Sequence, residues 1–169
     1  ISRTNSGRVS TRAIVGQKWT IDITYNPMTR DEFEPVFNFL LEKRGRLKPF
    51  FVVLPQYSSA RTTTSGTISM QNAESAGASN FIVSGYDSVT GGLRPGDMIN
   101  ITDSSNSNHK KAYQIIRVND STNKLSTDSA LNTSDERRFY ISPPLEKSVT
   151  SGSTLVYTNP LIRVIQKAD

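Results

Sequence analysis

Only one stretch of this 169-residue chain, residues 29–44, repeats its apolar side chains at helical spacing. Phe33, Val36, Phe37, Leu40 and Leu41 fall at i, i+3, i+4, i+7 and i+8, a single stripe. Thr29 and Glu32 have the spacing of a capping box, Met28 and Phe33 that of a hydrophobic staple, and Gly45 suits the residue after the last turn. Pro35 lacks a backbone donor and threatens a kink. With a single helix available, the rest of the core must come from strands. Composition agrees: 22 Ser, 17 Thr and 12 Asn compete with helical backbone and favour strands and turns.

Residues 18–25, KWTIDITY, alternate Trp19, Ile21, Ile23 and Tyr25 with polar partners, which predicts a strand with one buried face. Asn26-Pro27 stops it. Residues 50–54, FFVVL, read as a strand covered on both faces, with the helix stripe lying over its sheet. From residue 58 the texture changes to short β-like pieces between turn signals. Strands are expected near 67–70, 80–84, 97–102, 112–118, 123–127, 138–141 and 154–157, the pattern of a small barrel or sandwich. A final apolar strand falls at 161–166. The fold class is therefore mainly β (α+β), with one flanking helix. The expected organisation is discontinuous: residues 1–57 and 154–169 form one α+β part, and 58–153 form an inserted β-rich module.

Several function classes are excluded or disfavoured. The chain has no cysteine, which removes disulfides, thiolate metal sites and a cysteine nucleophile. The single histidine, His109, sits in the polar loop SSNSNHKK and reads as a surface residue. No apolar run approaches transmembrane length, and the opening residues do not read as a signal peptide. No phosphate-cradling glycine motif and no nucleophile elbow occurs. An enzyme of the glycosidase kind needs two carboxylates across a cleft. Asp97 or Asp103 with Asp135 or Glu136 is the nearest available set, and it has no motif behind it. The reading is of a non-enzyme with no cofactor and no metal.

The net charge of +5 is concentrated early. Residues 1–57 hold nine basic and five acidic side chains, whereas 58–150 hold nine of each. Arg3, Arg8 and Arg12 precede the first acid, Asp22. Such an arm suits a polyanion or an acidic protein surface equally. The first 18 residues hold no Phe or Tyr, so base stacking is missing and direct nucleic-acid binding is not expected.

The stretch from Gly16 to Leu54 resembles the opening of tailed-bacteriophage tail proteins. Gly16, Gln17 and Trp19 match a G-Q-x-W-like strand motif, Pro27, Met28 and Thr29 a P-M-T-like turn, and Arg44 with Gly45 the exit from the helix. Gly92 to Ile99, Ala112 to Ile115, Ile141 to Leu145 and Leu161 to Ile165 are similar to later elements of such proteins. The resemblance implies a β-sandwich or barrel of tail-tube type and a structural role in the virion. Made in the host cytoplasm, the protein would assemble as a trimeric or hexameric ring at the distal tube or baseplate. Its partners would be copies of itself and other tail or baseplate proteins, with no membrane. By the same analogy residues 1–13 and 58–66 are interface candidates, with Arg3, Arg8, Arg12 and Arg61 meeting acidic neighbours. The rival is a barrel-like module binding single-stranded nucleic acid or polysaccharide, for which Tyr86, Tyr113, Phe139 and Tyr140 are the aromatics at hand.

Overall fold

The computed structural model describes residues 2–3, 9–10, 20–86, 90–120, 125–126 and 128–167. The fold is mainly β, with one α-helix among the described residues. The chain divides into two compact units, Ile1–Pro35 and Val36–Asp169. In the first, β1 (Ser2–Arg3) and β2 (Val9–Ser10) pair antiparallel, Arg3 opposite Val9. The strand expected over 18–25 is not formed by residues 20–25, and Ile23 and Tyr25 stand 58% and 55% exposed. Alternation supplies an apolar face but not a neighbour, and an unpaired strand has nowhere to place its backbone groups. Lys18 and Trp19 lie outside the described residues.

Helix α1 (Arg30–Lys43) begins in the first unit and ends in the second. The Thr29 backbone N–H and hydroxyl both donate to Glu32 Oε2, at 2.9 and 3.0 Å, so the expected cap forms through its glutamate half. Those two bonds hold the Glu32 carboxyl below its ordinary pKa. Pro35 is accommodated inside the helix. Arg44 and Gly45 take left-handed backbone angles, φ 51° and 62°, and turn the chain out of it. No helical residue is buried, and Phe33, Phe37 and Leu41 on the stripe are 45–58% exposed. The expectation that this stripe covers the sheet fails on dimensions. The helix is about 21 Å long, and a three-residue strand is about 10 Å. Contact is made instead by Phe39, off the main stripe, edge-on to Phe50 at 5.3 Å.

In the second unit β3 (Phe50–Val52) is followed by a 3₁₀ turn at Pro55–Tyr57. Then come β4 (Ser69–Met70), β5 (Asn80–Ser84), β6 (Met98–Thr102), β7 (Ala112–Asn119), β8 (Arg137–Ser142) and β9 (Thr154–Val156). These six close a barrel in the order β4-β5-β8-β7-β6-β9, every pairing antiparallel. The last strand, β10 (Ile162–Val164), returns across the chain to pair antiparallel with β3, Arg163 opposite Phe51. The strand expected at 123–127 is absent at its described residues, Leu125 and Ser126. There the Leu125 N–H donates to Asp128 Oδ2 at 3.0 Å and the Asp128 N–H to Leu125 O at 3.0 Å, a closed turn.

Alternation fills the barrel. Phe81 and Val83 of β5, Ile99 and Ile101 of β6, and Phe139 and Ile141 of β8 point inward and are buried. Strand β7 begins in the same way with Tyr113 and Ile115. A bulge between Ile115 and Arg117 then reverses its parity. Ile116 is left 57% exposed, Val118 packs on the core, and Arg117 turns out onto the Tyr140 ring at 4.1 Å. The Arg94-Pro95-Gly96-Asp97 turn feeds β6. Gly96 has φ 102°, a value that side-chain-bearing residues rarely adopt, and the Asp97 N–H closes on Arg94 O at 3.0 Å.

Candidate assembly surface

Strand β6 is buried on both sides, and this mounts the small sheet on the barrel. Its odd residues fill the interior, while Met98 packs outward with Ala112 against Ile162 and its partly buried neighbours Val52, Leu54, Tyr57 and Val164. Asn100, also outward and buried, acts as a substitute peptide group. Its Oδ1 accepts the Leu161 N–H at 2.6 Å, and its Nδ2 donates to Leu161 O at 2.9 Å and Lys111 O at 3.1 Å. One side chain thus fixes the start of β10 to the barrel wall, satisfying backbone groups that the lateral jump between sheets leaves open.

The opposite face of β3–β10 is bare. Phe51, Val53, Leu161 and Ile165 are 38–56% exposed, surrounding the exposed Arg163. FFVVL was expected to be covered on both faces, yet only Val52 and Leu54 pack into the inward cluster, with Phe50 against Phe39, while Phe51 and Val53 are exposed. The sheet has two strands and nothing further is layered on it among the described residues. No third strand adjoins it among the described residues, and at the start of β10 the Asn100 side chain takes up the Leu161 backbone groups.

Of the expected interface arginines, Arg3 lies in β1, and Arg8 and Arg12 fall outside the described residues. Arg61 is exposed but tied to its own chain. Its N–H donates to Asp97 Oδ1 at 2.9 Å and its Nη1 to Pro95 O at 3.0 Å, so it pins the 58–66 segment to the turn before β6.

The carboxylates considered for chemistry are bonded to nearby backbone, except that Glu136 Oε1 is buried without a hydrogen-bond partner. Asp97, Asp103 and Glu136 are buried and Asp135 is bonded to the backbone. Asp97 also accepts the Arg94 N–H at 2.7 Å, Asp135 the Gly85 N–H at 2.7 Å, and Glu136 the Asn132 N–H at 2.7 Å. Asp103 accepts from the Ser105 N–H and from the Thr150 hydroxyl and N–H. Burial pushes its carboxyl up, but those hydrogen bonds outweigh it and hold the group below its ordinary range. These loop-tying roles have no sequence signature beyond an acid near a turn.

His109 is buried, not at the surface as its loop suggested. Its Nε2 lies 2.7 Å from the Tyr113 hydroxyl, whose oxygen also accepts the Glu146 N–H at 3.0 Å. Its Nδ1 is buried without a hydrogen-bond partner. Burial pulls the imidazole below its ordinary pKa against the upward pull of Glu146 and Asp103, and it pushes the Tyr113 phenol up to about 12. The i, i+4 spacing of His109 and Tyr113 could have hinted at the pair only had the loop been known to fold back. His109, Lys110, Asn100, Asn159 and Leu161 line an open pocket of about 240 Å³, which no carboxylate borders. Among the described residues no three His, Asp or Glu side chains gather to hold a metal, and no helix is long and apolar enough to cross a membrane.

Of the aromatics set aside for ligand stacking, Tyr113 and Phe139 are core residues. Tyr86 donates to Leu93 O at 3.1 Å beneath the Arg137 guanidinium, and Tyr140 is engaged by Asp128 and Arg117. No protein-family model matches the chain, and a search of curated proteins finds no relative.

Proposed function

We propose that this protein is a structural component of a bacteriophage tail that forms a ring at the distal tube or baseplate and connects neighbouring tail proteins. One observation carries the reading: a closed barrel bears a two-stranded sheet whose outward side shows exposed Phe51 and Arg163, flanked by exposed Val53, Leu161 and Ile165, with no third strand among the described residues. Two strands are marginal by themselves, and open apolar edges are a liability for a lone molecule. In a ring of copies both become joints, because a head-to-tail interface that closes uses every edge once. The resemblance over Gly16 to Leu54 supplies the class of assembly. In this reading residues 1–57 and the C-terminal segment are the tail-tube-type part; the inserted module expected over 58–153 extends through β9 (Thr154–Val156), which closes the barrel. The protein is then a virion component made in the host cytoplasm, without catalysis, cofactor or membrane.

Light scattering at two protein concentrations and two salt levels tests the reading. A discrete trimer or hexamer is expected, and removal of residues 1–13 is expected to lower its population. A monodisperse monomer under all four conditions overturns it.

A further inference from the structure

The whole net charge of this protein lies in two short segments. Residues 36–57 and 157–168 hold six Lys or Arg against one acid, Glu42, and all other residues together hold 14 of each sign. These segments build β3, β10 and the exit from α1, and they come together in one place. Phe39 of the helix meets Phe50 of β3 edge-on at 5.3 Å, and Gln166 Nε2 donates to Leu40 O at 3.5 Å. Glu42 is taken up by Lys43 at 3.1 Å. Arg44, Arg46, Lys48, Arg163 and Lys167 are exposed and make no ion pair among the described residues.

The pattern within this patch narrows what it fits. Leu161, Arg163, Ile165 and Lys167 occupy every second position through β10 and beyond it, and all four are exposed. Between them Ile162 is buried, and Val164 and Gln166 are partly buried. Apolar and cationic side chains thus alternate along one line, and Phe51 stands exposed opposite Arg163. A phosphate backbone would pair the cations but leave the aliphatic groups against charge, with a single ring, Phe51, for stacking. A lipid surface separates the two kinds, taking apolar groups into the hydrocarbon and keeping cations among the headgroups. Here Arg163 sits between Leu161 and Ile165, so entry of those two would carry the guanidinium in with them. A protein surface can meet both, with carboxylates opposite the cations and apolar side chains between. A second copy is a poor source of such a surface. Its Asp97, Asp103 and Glu136 are buried, Asp128 is held by Tyr140, and Glu32 and Glu34 are bonded to Thr29 and Arg30.

We propose that the outward face of β3–β10, with the cations of the helix exit beside it, binds an acidic protein other than this one. The bound segment alternates carboxylates with apolar side chains. This rests on the reading of a protein that connects unlike neighbours, and it names the connecting face and the chemistry of the neighbour.

Fluorescence anisotropy on the full chain tests it with labelled peptides of about 14 residues. One peptide alternates Glu with Leu and Val, and the other replaces the apolar residues by Ser at the same charge. An oligothymidine of equal length and vesicles of phosphatidylserine and phosphatidylcholine are the rival probes. The alternating peptide is expected to bind at least tenfold more tightly than the Glu-Ser peptide or the oligonucleotide, and less than about a tenth of the protein to sediment with vesicles. Arg163→Glu and Ile165→Ser should each weaken the peptide about tenfold. Lys110→Glu, the same charge change on the barrel, should weaken it less than about twofold, and thermal melts of the variants check that each is folded. Equal losses from Lys110→Glu and Arg163→Glu overturn the proposal, because binding then follows net charge and not this face. Tighter binding of the oligonucleotide, or retention on vesicles, overturns it in favour of a polyanion or a membrane. Absence of binding to every probe also overturns it: if light scattering still shows a discrete trimer or hexamer the tail reading survives, and if it shows a monomer both fall.

Discussion

Asn100 and His109 show how much of this fold depends on single polar side chains placed where an apolar one would pack. Asn100 supplies three hydrogen bonds to backbone groups at the junction of barrel and sheet. Asn100→Ala deletes them and leaves the Leu161 amide unsatisfied, so a loss of about 2–4 kcal/mol is expected in urea denaturation. His109 governs the acid side of the stability profile. Its folded pKa lies below its unfolded value of about 6.5, so its contribution is complete above that value and is lost as pH falls through the folded pKa. Asp103 and Asp128 are also held low in the folded state, Asp128 chiefly by the Tyr140 hydroxyl. Their contribution is complete above about pH 3.9 and fails as pH falls through their folded values. Thermal melting between pH 7 and 2 should therefore decline in two stages, and His109→Gln should remove the first only. At the alkaline end Tyr113 keeps its proton to about 12, so stability is expected to fall from about pH 10 upward.

At the scale of elements, β10 and the residue that follows it present isoleucine in two settings three residues apart. Ile162 is buried against Met98 and Ala112, and Ile165 is 56% exposed. Ile162→Ala should cost about 2–4 kcal/mol of folding stability, while Ile165→Ala should change it by less than about 0.5 kcal/mol. Denaturation of the dilute protein measures both, and an equal cost would mean that the outward face is covered even in the isolated chain. The barrel strands were legible because each alternates between turns that stop it: 80–84 was read with the bounds it has, and α1 to within a residue at each end. What sequence could not convey was pairing. The 18–25 pattern looks as good as any barrel strand, yet a period of two says nothing about whether a neighbour exists. The bulge after Ile115 was equally hidden, since one extra residue leaves YQIIRV looking regular. His109 was misread for a related reason: loop composition reports average exposure, and its burial depends on Tyr113 and the Glu146 amide, the latter far along the chain.

For the whole molecule, the buried core is unevenly distributed. The barrel closes all its edges and holds the large fully buried side chains, Tyr113, Phe81 and Phe139 among them. The β3–β10 sheet has few residues per strand and one bare face, so it opens more readily than the barrel on which it sits. Hydrogen exchange should separate the two. In dilute solution the amides of β5, β7 and β8 are expected to exchange slowest, at the rate set by global unfolding, and those of β3 and β10 at least tenfold faster. If copies associate through the small sheet, as the ring reading has it, raising the concentration should slow exchange in β3 and β10 and leave the barrel amides unchanged, since binding energy protects only what the interface orders. The salt dependence should follow the same division. The barrel-bearing stretch 58–150 is charge-balanced, whereas 1–57 carries four excess positive charges. Added salt should therefore weaken association through residues 1–57 while the unfolding midpoint of the monomer moves little. Uniform protection of barrel and sheet on concentrating the protein would place the joint elsewhere, because only an interface that clamps the barrel itself slows its amides as well.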